Sequence, residues 1–379
     1  MGISKMKSLI IGNLTAKLPI IQGGMGIGVS LSGLASAVAN QGGIGVIAVP
    51  GIGMFESDFR GNYLEANIRA LRSEIRKARE MTKGILGVNI MVALTNFSDM
   101  VKIAVEEGID IIFSGAGLPL NLPQLIENSR TKIVPIVSSA RAAALIARRW
   151  IEKYDYVPDA IVVEGPRAGG HLGFKQEQID NPDFKLEKIL VEVVSEMKVI
   201  AEKYKKIIPV IAGGGIYTGE DIHRFIDLGA SGVQMGTRFV TTDECDASPE
   251  FKKAYLDCKE EDIEIIKSPV GLPGRAIRNK FIDDVKAGMK KPFQCPYHCI
   301  STCDKAKSPY CICIALMSAQ KGNMKHGFAF CGANAYRSTE IVSVKELTDA
   351  LVNEYNEVEE KKSKLDIFKS HIKKVINKK

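Results

Sequence analysis

The chain has 379 residues, 45% hydrophobic and 25% charged, with 51 Lys and Arg against 44 Asp and Glu for a formal net charge of +7. That balance supports a large folded core and excludes a low-complexity or disordered chain. There is no uncharged apolar run of 18 residues, no apolar h-region with a cleavage site, and Met6 stands where a myristoylation signal carries Ser or Thr, so neither a membrane span nor a secretory or lipid address is expected.

Eight cysteines, mostly near one another, do not resemble a secreted disulfide framework, and a reducing cytoplasm is the expectation. Lysines cluster in the last 20 residues but alternate with Leu365, Phe368, Ile372, Val375 and Ile376. This spacing is that of an amphipathic helix docking on its own protein rather than a nucleic-acid-binding tail. The expected partner is a small-molecule substrate, with no nucleic acid and no membrane. A homodimer is left open.

In chain order, short apolar, β-branched runs at 19–22, 44–49, 87–91, 109–113, 133–137, 160–163, 209–212 and 232–235 read as strands. Amphipathic segments at 63–82, 97–107, 139–154, 186–204 and 219–228 read as helices between them. Strands joined by helical crossovers predict a parallel sheet, and eight of them favour a closed (β/α)₈ TIM barrel over residues 1–244. An open doubly wound sheet is the rival, because periodicity cannot show closure. From about Cys245 the alternation fades, and residues 245–379 are read as a Cys-rich, mainly helical cap that ends in helices at 344–359 and 365–376.

Glycine and polar residues follow nearly every strand. They are Gln22-Gly23-Gly24-Met25, Asn89, Ser114 to Gly117, Ser138-Ser139, the loop from Glu164 to Gly173, Gly213-Gly214-Gly215, and Gly236-Thr237. One such loop means little, but their succession at the carboxyl ends of strands marks the face where barrels build their sites. The last two loops suit a phosphate, held by backbone N–H groups and a helix start, with the Thr237 hydroxyl as a further donor. Neither a Walker A run nor a Gly-x-Gly-x-x-Gly fingerprint is present, which favours a mononucleotide over a Rossmann-bound dinucleotide.

His171 sits in Gly169-Gly170-His171-Leu172-Gly173 after the sixth strand, where it reads as a proton-transfer residue rather than a packing one. His223 lies on the 219–228 helix and is expected at the surface, and His298 and His326 fall in the cap. Cys295, Cys299 and Cys303 recur every four residues, ahead of Cys311 and Cys313. On a helix the first three would share one face. The spacing matches neither the usual zinc pairs nor ferredoxin runs. Free cysteines packing the cap are expected and no metal ligand is assigned, while a metal or cluster at Cys295, Cys299, Cys303 and Cys311 stays open.

Taken together, Pro19 to Met25, Gly87-Val88-Asn89, Ala168 to His171, Ile211 to Ile216 and Gln234 to Phe239 resemble the nitronate monooxygenase (2-nitropropane dioxygenase) family. These are FMN-dependent (β/α)₈ barrels close to the FMN-dependent enoyl-acyl-carrier-protein reductase. The resemblance spans roughly residues 15 to 280. It implies FMN contacts from Gln22, Gly23, Gly24, Met25, Asn89, Gly169, Gly215, Gln234, Met235, Gly236 and Thr237, and a catalytic base at His171. Gly213, Gly214 and Glu164 are added to the expected cofactor set, and Arg167 and Ser138 to the substrate side. Glu164 stands where many nitronate monooxygenases have glutamine, as in the reductase branch, and Arg167 replaces a glutamate usual in both.

The expected activity is oxidation of alkyl nitronates or nitroalkanes with oxygen to a carbonyl product and nitrite. One alternative is reduction of an enoyl thioester with NAD(P)H as electron donor. Another is an electron-transfer or metal-binding flavoprotein that uses the Cys-rich cap.

Overall fold

The computed structural model describes residues 4–290, 295, 297–304 and 306–376, with side chains up to residue 364. A hairpin of β1 (Leu9–Ile11) and β2 (Leu14–Ala16) precedes the barrel. The chain then alternates β3 (Ile20–Gln22), α1 (Ser32–Asn40), β4 (Ile44–Ala48), α2 (Tyr63–Met81), β5 (Ile85–Met91), α3 (Phe97–Glu106) and β6 (Ile111–Gly115). It continues with α4 (Leu122–Leu125), β7 (Lys132–Val137), α5 (Ala140–Tyr154), β8 (Ile161–Glu164), β9 (Gly170–His171), α6 (Leu186–Tyr204), β10 (Val210–Gly213), α7 (Gly219–Asp227), β11 (Gly232–Met235) and α8 (Thr237–Val240).

The expected strands are present to within two residues at each end. Strands β3 to β8, β10 and β11 pair in parallel, and the last of them, β11, bonds back to the first, β3. The sheet therefore closes, and the open-sheet rival is excluded. Strands such as β4 and β6 are buried along their whole length, as expected where side chains fill a barrel on one face and meet helices on the other.

The barrel interior is packed by Ile21, Val46, Ile111, Phe113, Val134, Val162 and Ile211. Leu9, Ile11 and Ala16 of the hairpin join this cluster and plug the end where the strands begin. The hairpin went unread in the sequence because its three-residue strands are too short to show a period. A second apolar core lies under the helices, with Leu34, Met100, Trp150, Val193 and Phe225, and runs without a break into the cap through Phe328 and Leu351. The expected 244/245 boundary falls inside this continuous core.

Local signals set the helix starts. Ser139 Oγ accepts from Ala142 N at 3.2 Å to begin α5, and Thr218 and Asp221 form a reciprocal capping box on α7. The cap opens with α9 (Pro249–Leu256), a second hairpin of β12 (Ile263–Lys267) and β13 (Pro273–Ile277), and α10 (Lys280–Lys286). It closes with α11 (Ile312–Gln320) and α12 (Val344–Ile376). The two expected terminal helices are one continuous helix, since no residue between them breaks it. The described residues between Cys295 and Cys311 are irregular, so the cysteines do not share a helical face. His223 is buried, not superficial, because α12 lies across α7 and Glu359 approaches its Nε2 at 2.7 Å. The apolar spacing expected to dock residues 365–376 rests on side chains outside the described set. Among the described residues no helix is long and apolar enough to cross a membrane.

Candidate active site

A cavity of about 290 Å³ lies over the carboxyl ends of the barrel strands, near the lower end of the range for small-molecule sites. Of the residues expected from sequence, Gly23, Gly24, Met25, Asn89, Glu164, Arg167, Gly169, His171, Gly214, Gly215, Gln234, Met235, Gly236 and Thr237 all line it. Three are placed elsewhere. Gln22 is fully buried beneath the floor, where its Oε1 accepts from Val46 N at 3.0 Å. Gly213 ends β10, paired opposite Glu164 and Gln234. Ser138 donates to Gly173 O at 2.9 Å and so braces the far side of the histidine loop.

The cavity is a cradle of backbone. A Cβ on Gly24 would stand 2.4 Å from Asn89 Cβ, and one on Gly169 would stand 2.7 Å from the backbone of Cys331 and Gly332. Gly214 and Gly215 have φ of +95° and +80°, a region that side-chain-bearing residues rarely enter. Beside them α8 begins at Thr237, and the first N–H groups of a helix have no intrahelical acceptor. Thr237 Oγ1 accepts from Gly332 N at 2.8 Å, leaving its proton for a ligand. Glycine backbone, helix start and hydroxyl together fit a phosphate, while Met25, Ile27, Val29 and Phe330 supply an apolar wall. The residues present therefore fit FMN, and Gly214, Gly215, Gly236 and Thr237 are those that would hold its phosphate.

His171 reaches this cavity through a contact invisible in the sequence. Its two-residue strand β9 pairs antiparallel with β13 of the cap, His171 opposite Gly274 and Gly170 opposite Arg275. Arg275 is itself buried, and its guanidinium donates to Pro166 O at 2.6 Å and Ala168 O at 3.2 Å, fixing the loop that precedes the histidine. His171 Nε2 lies 2.7 Å from Ser268 Oγ, and its ring meets Phe330 edge-on at 4.9 Å. Burial holds the imidazole at about 4, well below the usual histidine range, so at neutral pH it is uncharged. If Nε2–H donates to Ser268, the Nδ1 lone pair is free to accept; in the other tautomer Nδ1–H donates.

Glu164 has the opposite displacement. Burial pushes its carboxyl up to about 7, since taking a carboxylate out of water disfavours its charged form. The site therefore combines an uncharged base with a carboxyl poised near neutrality.

The sequence reading missed the cap residues that complete the site: Phe330 and the run Cys331 to Asn334, which line the cavity, and Ser268, which holds His171. Ala333 N donates to Arg167 O at 3.1 Å, and Asn334 Nδ2 donates to Gly215 O at 2.8 Å. The Cys-Gly-Ala-Asn run carries the Gly and Asn of a ligand-binding turn, but nothing local points it at the barrel.

Comparison with known proteins agrees with this geometry. The profile of the nitronate monooxygenase family matches residues 7–354. A probable nitronate monooxygenase of Staphylococcus saprophyticus is 28% identical over 314 residues, covering 73% of this chain and 80% of the relative. Among solved structures, FabK from Thermotoga maritima superposes with a TM-score of 0.71 at 27% identity, covering 92% of this chain and 96% of that one. A nitroalkane oxidase from Streptomyces ansochromogenes gives 0.68 at 21% identity, over 90% and 96%, a likeness of fold. The closed barrel, its glycine cradle and the family match lead to one conclusion: the chain belongs to the nitronate monooxygenase family and is an FMN-dependent oxidoreductase.

Proposed function

We propose that the chain oxidises alkyl nitronates, the anionic forms of nitroalkanes, to a carbonyl product and nitrite with oxygen as acceptor. The observation that carries this reading is the neutral imidazole of His171 on the cavity wall, held by Ser268 and desolvated to about 4. A base matched to a carbon acid has its pKa near the working pH. One this weak is poorly suited to deprotonating a neutral nitroalkane, and a nitronate has already lost that proton. His171 then serves as hydrogen-bond partner to the nitronate oxygens. Arg167 places a positive charge on the cavity wall and so favours an anionic ligand. Phe330 and the apolar wall keep water from the reacting carbon. Bound FMN supplies the electron acceptor and the reaction with oxygen, and the protein supplies orientation and charge.

The test is incubation of the flavin-loaded protein with ethyl- and propyl-nitronate, with nitrite release and oxygen uptake followed together. Absence of both with every nitronate, despite full FMN loading, overturns the reading.

Glu164 and the likeness to FabK favour a second reading, in which NADH or NADPH reduces the flavin and an enoyl thioester is the acceptor. Rapid anaerobic bleaching of the flavin by either nucleotide, followed by reoxidation on adding an enoyl thioester, selects this reading over the first.

A further inference from the structure

Five thiols, those of Cys295, Cys299, Cys303, Cys311 and Cys313, line a second, smaller cavity in the cap together with His298. The described residues from Cys295 to Cys311 are irregular backbone, so the recurrence of cysteine there is not the stripe of a packed helix. Here only Cys299 and Cys313 come together, Sγ to Sγ at 3.3 Å, and none of the eight cysteines is in a disulfide.

The arrangement says which kind of ligand is suited. Among the described residues no three His, Cys, Asp or Glu side chains converge so as to hold a single metal ion. A tetrahedral zinc site needs that convergence. An iron–sulfur cluster instead takes one thiolate at each iron, so its four cysteines stand around it rather than meeting at a point. Cys313 lines both this cavity and the flavin cavity, as do Ile300 and Ile312, whereas the other four cysteines line only the second. Cys313 thus belongs to a partition between two sites, and four thiols remain.

We propose that Cys295, Cys299, Cys303 and Cys311 ligate an iron–sulfur cluster in the cap, separated from the flavin cavity by the wall of Ile300, Ile312 and Cys313. No other part of the described chain gathers thiols in this way, and the proposal is independent of which substrate the flavin serves.

The experiment is anaerobic isolation of the full chain, reconstituted with ferrous iron and sulfide where needed. Iron, acid-labile sulfide and zinc are assayed, with electron paramagnetic resonance after dithionite reduction. The expected result is about four irons and four sulfides per chain with a low-temperature signal on reduction. Cys303→Ser is expected to lose the iron while keeping FMN, which reports that the barrel is folded, and Cys258→Ala, at a cysteine that lines neither cavity, is expected to keep both. Absence of iron and sulfide after reconstitution, zinc in their place, or recovery of Cys299 and Cys313 as a disulfide overturns the proposal.

Discussion

Arg167 Nη2 donates to Asn334 Oδ1 at 3.0 Å, tying the histidine loop of the barrel to the cap. Asn334 in turn donates to Gly215 O. A Cβ on Gly215 would lie 2.8 Å from Arg167 Cβ and 3.3 Å from its Nε, so the arginine lies directly over the glycine loop assigned to phosphate. Arg167→Leu is expected to weaken FMN binding roughly 10- to 100-fold, the loss of one hydrogen bond to a charged group, about 1.5–3 kcal/mol. Titration of the cofactor-free protein with FMN, followed by flavin fluorescence, measures this. Unchanged affinity places the arginine on the substrate side alone.

Glu164 predicts a pH-dependent stability. Its carboxyl is raised by burial from 4.5 to about 7, so between those values the unfolded chain has released a proton that the fold retains. Stability of the cofactor-free protein should therefore fall as pH rises from about 4.5 to about 7 and level off above, by up to about 3 kcal/mol. Glu164→Gln removes this slope and should be more stable than wild type at pH 8 but not at pH 4.5. Urea unfolding at the two pH values decides it, and parallel curves for both proteins show that the carboxyl is not held neutral.

For His171 the sign is reversed. With its imidazole lowered to about 4, the neutral form persists through the physiological range and is lost only on acidification. Nitronate turnover should then show no histidine limb between pH 6 and 8 and should decline as pH falls toward 4. His171→Leu should reduce kcat/KM for nitronates by about 10- to 100-fold at pH 7, the loss of one hydrogen bond to a charged group, about 1.5–3 kcal/mol, with the flavin spectrum preserved. An acid limb centred near 6.5 in the wild type would show that bound flavin leaves the ring hydrated.

The seat of α12 on α7 offers a test of the cap. Gly219 N donates to Glu354 Oε2 at 2.5 Å, and a Cβ there would stand 2.2 Å from Leu351 O and 2.5 Å from Tyr355 N. Backbone cannot yield as a side chain tip can, so Gly219→Ala should cost about 1–3 kcal/mol through overpacking. Thermal unfolding measures it, with Glu220→Ala, one residue along on the exposed side of α7, as the near-neutral control. Equal losses in the two variants would mean that α12 does not hold this position in solution.

The eight strands, their order and most of the residues at their carboxyl ends are legible in the chain. Buried strands such as Ile161–Glu164 announce themselves by short β-branched runs that stop at glycine, and both the run and the stop are local. Pairing of β11 with β3, which closes the sheet, brings residues more than 200 positions apart into register, and no period records it. The same holds for the hairpin that plugs the barrel, and for Arg275 holding the histidine loop through two carbonyls. His223 read as a surface residue because the helix that covers it begins more than 100 residues later.

Chemistry divides along the same line. That residue 171 is a histidine between glycines is plain in the chain. That it is a weak, uncharged base depends on desolvation by Phe330 and the Ser268 turn, which lie roughly 100 or more residues away. Residue type is set one position at a time, but the free energy of a charge is set by everything packed around it, and only the folded chain supplies those neighbours.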